Sequence, residues 1–201
     1  MGRKALVRER KELTEKAKIW VREVVPLLQD QELDKLTLDE LAFLMGKSKS
    51  TIYSYFSTKD EIYQTAVQLY LSDIAFIISP EAIEGENMEQ VLHGMLMKIG
   101  EGLAGISIHF LDQIQEFFPE IWSIIEGFND RVLANFEAIY RKGMNSGEFK
   151  EFNVKLLLTL DRHFVMSIMT DARQFQDQNL SLPDLIKEYL ELRMSALRFK
   201  E

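Results

Sequence analysis

The chain contains no cysteine. Disulfide scaffolds, CxxC redox centres, thiolate zinc sites and cysteine nucleophiles are therefore excluded, and the absence suits a reducing compartment. No apolar run approaches the roughly 18 residues that would span a bilayer, so no membrane partner is expected. The N-terminal stretch MGRKALVRERKEL is basic but has no apolar run behind it, and a cytoplasmic protein without a secretory signal is expected. Few segments alternate with period two between turn signals, so no sheet is expected, and no internal repeat or low-complexity segment is visible. Histidine is scarce. His93, His109 and His163 lie far apart, and Glu89 precedes His93 by four residues rather than the three of a di-iron E-x-x-H pair. No metal and no cofactor are expected.

The 201 residues that are present are 46% hydrophobic and 28% charged, an ordinary folded composition for one to one and a half domains. The net charge of −8 is unevenly spread: residues 1–70 carry a net +1 and residues 71–201 a net −9. Arg3, Lys4, Arg8, Arg10 and Lys11 stand against a single Glu9 in the first eleven residues. A basic arm on a near-neutral head, followed by an acidic body, is the asymmetry of a DNA-reading head on a trunk that does not bind DNA. A merely solvated arm has the same charge.

Helical periodicity dominates the rest. Leu13, Ala17, Trp20 and Val24 form one apolar stripe, and Pro26 should kink that helix by crowding the carbonyl of Arg22. A longer helix carrying Ile62, Ala66, Leu69, Tyr70, Phe76 and Ile77 ends before Ser79-Pro80. Helices follow over about 88–103 and 106–117, and Pro119 opens a long one through Tyr140. Lys142–Phe149, with Gly143 and Gly147, reads as a stop. Further helices run over about 153–177 and, after the Leu182-Pro183 turn, to about 199. The expected class is all-α.

The segment 37–61 is the most informative. Thr37-Leu38-Asp39-Glu40 is a capping box that starts a short helix, and Gly46 suits the left-handed turn that ends it. Ser48 caps a second short helix, and Thr58-Lys59-Asp60-Glu61 is another capping box for the next one. Two short helices joined by a glycine turn mark a helix-turn-helix. Within the second, Ile52 and Phe56 sit four apart as apolar anchors. Around them stand Lys49, Ser50, Thr51, Tyr53, Ser54 and Tyr55, all hydrogen-bonding and none acidic. A helix that enters the major groove needs this pattern, with no carboxylate to repel phosphates. A small surface helix of a bundle is the competing reading.

The run Leu38-Asp39-Glu40-Leu41-Ala42 through Met45-Gly46-Lys47-Ser48-Lys49-Ser50-Thr51-Ile52-Tyr53-Ser54-Tyr55-Phe56-Ser57-Thr58-Lys59-Asp60-Glu61 resembles the N-terminal domain of the tetracycline-repressor (TetR) family of bacterial transcriptional regulators. The resemblance covers about residues 10–70; beyond that the chain matches only in size, helical character and helix order. It implies a three-helix DNA-binding domain over residues 1–60 and a larger helical ligand-binding and dimerisation domain over 61–201. It also implies that Thr37, Ser48, Thr51, Tyr55 and Lys59 hold the DNA backbone. Lys49, Ser50 and Tyr53 would face bases or adjoining backbone, and Ser54 a variable specificity position. Three features depart from the family pattern: the short Ser54, the lack of a glycine in Gln29-Asp30-Gln31-Glu32, and Pro26 within the first helix.

The resemblance further implies a homodimer paired through the last two helices, which reads a palindromic double-stranded operator and is released by a small-molecule effector. Leu185, Tyr189, Leu192 and Ala196, with Ile186, Leu190 and Leu197 beside them, offer an interface stripe. The preceding helix, with Leu156, Leu157, Leu158, Leu160, Phe164, Val165, Ile168 and Met169, is apolar on several sides; it suits a partner copy or a monomer's central core. The candidate ligand contacts are Phe110, Gln113, Phe117, Trp122, Phe128, His163 and Met166. An aromatic and methionine set of this kind is more often plain core than pocket. The reading is a regulator, by default a repressor, and not an enzyme. The alternatives are a helical enzyme using His109, Asp161 or His163 as acid–base groups, and a helical protein-binding adaptor. Gly100-Glu101-Gly102-Leu103-Ala104-Gly105 matches a dinucleotide fingerprint literally but lacks the flanking strands, and a break between two helices is the expected use of those glycines.

Overall fold

The computed structural model describes residues 11–78, 87–103, 105–170 and 182–197, among which there are ten helices and no strand. The basic arm over residues 1–10, the expected helical stretch past Thr170 and the end of the last helix past Leu197 lie outside them.

Helix α1 (Glu15–Arg22) starts where the Thr14 hydroxyl accepts from the Ala17 amide at 3.2 Å. It breaks at Glu23, and α2 (Val24–Leu28) resumes at once. The cause is Pro26, which has no N–H for the Arg22 carbonyl, so the expected kink falls at Glu23, whose own backbone stays in the right-handed helical region. Helix α3 (Leu38–Leu44) begins with the expected reciprocal cap. Thr37 Oγ1 accepts from the Glu40 amide, and the Glu40 carboxylate accepts from the Thr37 amide at 2.7 Å. Gly46, at φ +61°, turns the chain into α4 (Lys49–Tyr55), capped by Ser48. Thr58 caps α5 (Lys59–Ile77), but here the box is not reciprocal: the Glu61 carboxylate accepts from the Ser57 amide at 2.7 Å, one residue further back.

Helices α6 (Met88–Leu103), α7 (Ile108–Phe117), α8 (Pro119–Ser146), α9 (Val154–Thr170) and α10 (Leu182–Leu197) complete the order. Helices α5 and α8 form the spine. Helix α5 packs on α1, α2, α6 and α8, while α8 packs on α5, α6, α7 and α9. Helix α8 is longer than the sequence reading allows. Gly143 does not stop it; the missing side chain admits Phe149, folded back so closely that a Cβ would lie 2.3 Å from Phe149 Cδ2. The stop is Gly147, at φ +77°. The break between two helices expected of the glycines near 100–105 follows Leu103, and Gly102, inside α6, also serves packing. A Cβ on Gly102 would meet Ile74 Cγ1 at 3.0 Å, and the Gly102 carbonyl accepts from the Tyr70 hydroxyl.

Candidate DNA interface and ligand cavity

Helix α4 is pinned as its sequence requires. Ile52 and Phe56 are buried, and Trp20 of α1 meets the rings of Tyr55 and Phe56 edge-on, at 6.0 and 6.2 Å. This leaves Lys49, Ser50 and Tyr53 exposed on the opposite side. The sequence reading missed an acid from the helix before. Asp39, in the first turn of α3, takes the Lys49 ammonium at 2.5 Å and the Tyr53 hydroxyl at 3.4 Å. The carboxylate holds the Lys49 ammonium above its ordinary value, chiefly by accepting its hydrogen bond. The outward face of α4 therefore presents a lysine and a phenol already steered by one neighbour.

The other candidate DNA contacts are engaged within the chain. Ser48 Oγ accepts from the Thr51 amide and bonds the hydroxyls of Ser50 and Thr51 at 2.9 and 2.8 Å. Ser54 donates back to the Thr51 carbonyl at 2.7 Å. Thr37 is exposed, with its hydroxyl on Glu40. Tyr55 is half-buried against Trp20. The Lys59 ammonium donates to the carbonyls of Leu33, at 2.9 Å, and Asp34, and sits 6.0 Å from the Phe118 ring centre. Lys59 thus ties α5 to the loop between α2 and α3.

That loop is also held from the other side. Gln113 of α7 is buried; its carbonyl oxygen accepts from the Leu33 amide at 2.7 Å and its amide donates to the Gln31 carbonyl at 2.8 Å. The Ser107 amide and hydroxyl donate to Gln29, at 2.5 Å to the side chain and 3.0 Å to the carbonyl. The Tyr63 hydroxyl donates to the Leu33 carbonyl at 3.2 Å. Desolvation raises the Tyr63 phenol well above its ordinary value.

A cavity of about 130 Å³ lies among α2 and α5 to α10, walled by residues such as Leu96, Ile99, Phe110, Phe128, Val132 and Phe136. Phe110 and Phe128, both expected at a ligand, are in its wall. Met166 stands next to it, accepting from the Asn129 amide at 3.7 Å. The remaining expected contacts are elsewhere. Gln113 bridges to the α2–α3 loop, Phe117 is exposed, and Trp122 is buried with its indole N–H on Glu126 at 3.1 Å. His163 is exposed, its ring nitrogen 2.7 Å from the Thr159 carbonyl.

The cavity wall also holds a carboxylate that the sequence offers both as a polar contact for a ligand and as an acid–base group. Asp161, 1% exposed, accepts from the hydroxyls of Tyr140, at 3.0 Å, and Tyr189, and from the Arg193 guanidinium. Burial pushes the Tyr140 and Tyr189 phenols well above their ordinary value, and the carboxylate beside them adds to this. His109 bonds Gln113 instead, at 3.0 Å, so Asp161, His109 and His163 each have separate partners. No group of three metal-ligating side chains occurs among the described residues.

The last two helices do not bury the whole expected stripe. Leu197 is buried and Leu185 and Tyr189 are half-buried, while Ala196 is exposed and Leu192 is 70% exposed; the side chains of Ile186 and Leu190 lie outside the described residues. On α9, Leu156 and Leu160 are also exposed. No single helix among the described residues is long and apolar enough to cross a membrane.

A capped helix-turn-helix at the head of an all-helical trunk with an apolar cavity is the fold of the TetR-family transcriptional regulators, and this chain has that fold. In particular, it is similar to PfmR, a TetR family regulator from Thermus thermophilus, with a TM-score of 0.67 and 21% identity over 90% of this chain and 99% of that one. It is similar also to FadR from Bacillus subtilis, solved in complex with stearoyl-CoA, with a TM-score of 0.65 and 23% identity over 90% of this chain and 99% of the other. By sequence it resembles YvaF of Bacillus subtilis (strain 168), an uncharacterized HTH-type transcriptional regulator, at 24% identity over 94 residues. That match spans 46% of this chain and about half, 49%, of the relative. No family model matches.

Proposed function

We propose that the chain is a dimeric, sequence-specific regulator of transcription, a repressor by default. It is cytoplasmic, and it leaves a palindromic operator when a small apolar molecule enters the trunk. The observation that carries this reading is α4: acid-free, anchored by Ile52 and Phe56, with Lys49, Ser50 and Tyr53 turned outward. Residues 1–60 act as the reading head and 61–201 as the trunk; Thr37, Ser48, Thr51, Ser54, Tyr55 and Lys59 lie around α4 and hold it or meet the DNA backbone. No catalytic step is assigned to the chain.

Dimerisation is supported by the exposed Leu156 and Leu160 on α9 and Leu192 on α10, three large apolar side chains on the last two helices. Two heads related by a two-fold axis read two half-sites. The signal runs through α7. Phe110 lines the cavity, and Gln113, three residues on, grips the backbone of the α2–α3 loop. A ligand that shifts α7 or tilts α5 moves the head, and DNA weakens ligand binding by the same factor.

The test is duplex binding measured across a salt titration. Binding through lysine–phosphate contacts gives a linear fall of log K with log salt, and Lys49→Ala lowers both the slope and the affinity for the preferred site. A chain whose duplex affinity ignores both salt and Lys49 is not this regulator.

A further inference from the structure

The lining of the trunk cavity says which molecules it admits. Its volume of about 130 Å³ is that of a single ring; a void of about 150 Å³ with aliphatic and aromatic walls stays dry and accepts benzene. Among the described residues four polar ones reach the wall, and all of them direct polar atoms at protein. The Tyr70 hydroxyl donates to the Gly102 carbonyl, and the Asn129 amide to Met166 Sδ. Tyr189 donates to Asp161, whose carboxylate also takes Tyr140 and Arg193. The Asp161–Arg193 pair is neutral as a unit, so a third charge brought beside it would be buried without compensation.

On the regulator reading above, we infer that the molecule this cavity takes is an uncharged hydrocarbon ring of about benzene to toluene size, and not a carboxylic acid or an acyl thioester. Among the described residues of the wall a carboxylate meets no cation, and it meets the Asp161 carboxylate instead. An aromatic ring instead meets Phe110, Phe128, Phe136 and Phe164, whose edges and faces suit it.

The experiment uses the full chain with three probes: toluene, benzoate and octanoyl-coenzyme A. Toluene raises the melting temperature by several degrees because it binds only the folded state, and benzoate and octanoyl-coenzyme A leave it unchanged. Val132→Phe fills the cavity and removes the toluene shift, with the helical circular dichroism as the fold control. Leu96→Phe, from α6, repeats the test if the first variant does not fold. Stabilisation by benzoate or octanoyl-coenzyme A greater than by toluene overturns the inference, as does a toluene shift that survives both fillings or no toluene shift at all. Duplex binding without any probe is measured alongside. Its loss with an intact toluene shift sinks the regulator reading and not the cavity chemistry, and the converse result does the reverse.

Discussion

Replacing Asp161 by alanine is the sharpest probe of how the trunk is held together. The carboxylate is 1% exposed and collects three donors from α8 and α10: the hydroxyls of Tyr140 and Tyr189, and the Arg193 guanidinium. Removing it leaves a buried guanidinium without its counter-ion and strands two phenols. Breaking a buried pair from one side costs about 3–5 kcal/mol, a large share of the roughly 5–15 kcal/mol that holds a typical protein folded. Urea unfolding followed by circular dichroism, at fixed protein concentration because the stability of any oligomer depends on it, reads the loss as a lower midpoint. The double variant Asp161→Leu, Arg193→Met removes both charges and should lose much less, since the uncompensated cation is gone. A loss below about 1 kcal/mol for Asp161→Ala would refute the reasoning.

The buried phenols give a pH test. Tyr63, Tyr140 and Tyr189 are held protonated in the fold, mainly by burial, so their folded values lie above the unfolded value of about 10. The stability they contribute is complete below about pH 10 and is lost as pH rises from there toward the folded values; of the six tyrosines, these three should give the last part of the tyrosinate absorbance, together with unfolding, and ionisation of all six before unfolding would contradict their burial. Gln113→Leu strands the buried Leu33 amide, which should cost about 1–3 kcal/mol in chemical denaturation and shrink the ligand-induced drop in duplex affinity. An undiminished drop would remove Gln113 from the coupling route. Asp39→Asn frees Lys49 for phosphates, so affinity for unselected duplexes should rise a few-fold and the salt slope should steepen by about one unit; an unaltered slope would show that Lys49 meets no phosphate.

What could be read from the sequence was local. The Thr37–Glu40 box, the Gly46 turn, the Ser48 cap and the anchors Ile52 and Phe56 all lie within a few residues of the structure they specify. Asp39 escaped notice because it meets Lys49 across the turn, ten residues away, although the helix itself carries no acid. Lys59 shows the same limit: its place in the first turn of α5 suggests a phosphate, while tertiary packing brings it two carbonyls of a loop 25 and 26 residues back. Gln113 was recognised as a polar residue in the trunk, but its partners in the α2–α3 loop stand 82 and 80 residues away in the chain. On α9, apolar residues on several sides leave periodicity unable to say which face is inward. Hence the sequence points His163 toward a cavity that it does not line, while Asp161, in the cavity wall, carries the cluster.

The central claim is that α4, carried in two copies, reads duplex DNA by sequence. Selection from a random pool of duplexes tests it most directly. The account predicts enrichment of one palindromic consensus with two inverted half-sites, weakened by Lys49→Ala at a defined base position. A pool that stays random after repeated rounds, or a consensus with a single half-site that Lys49→Ala leaves untouched, would contradict it.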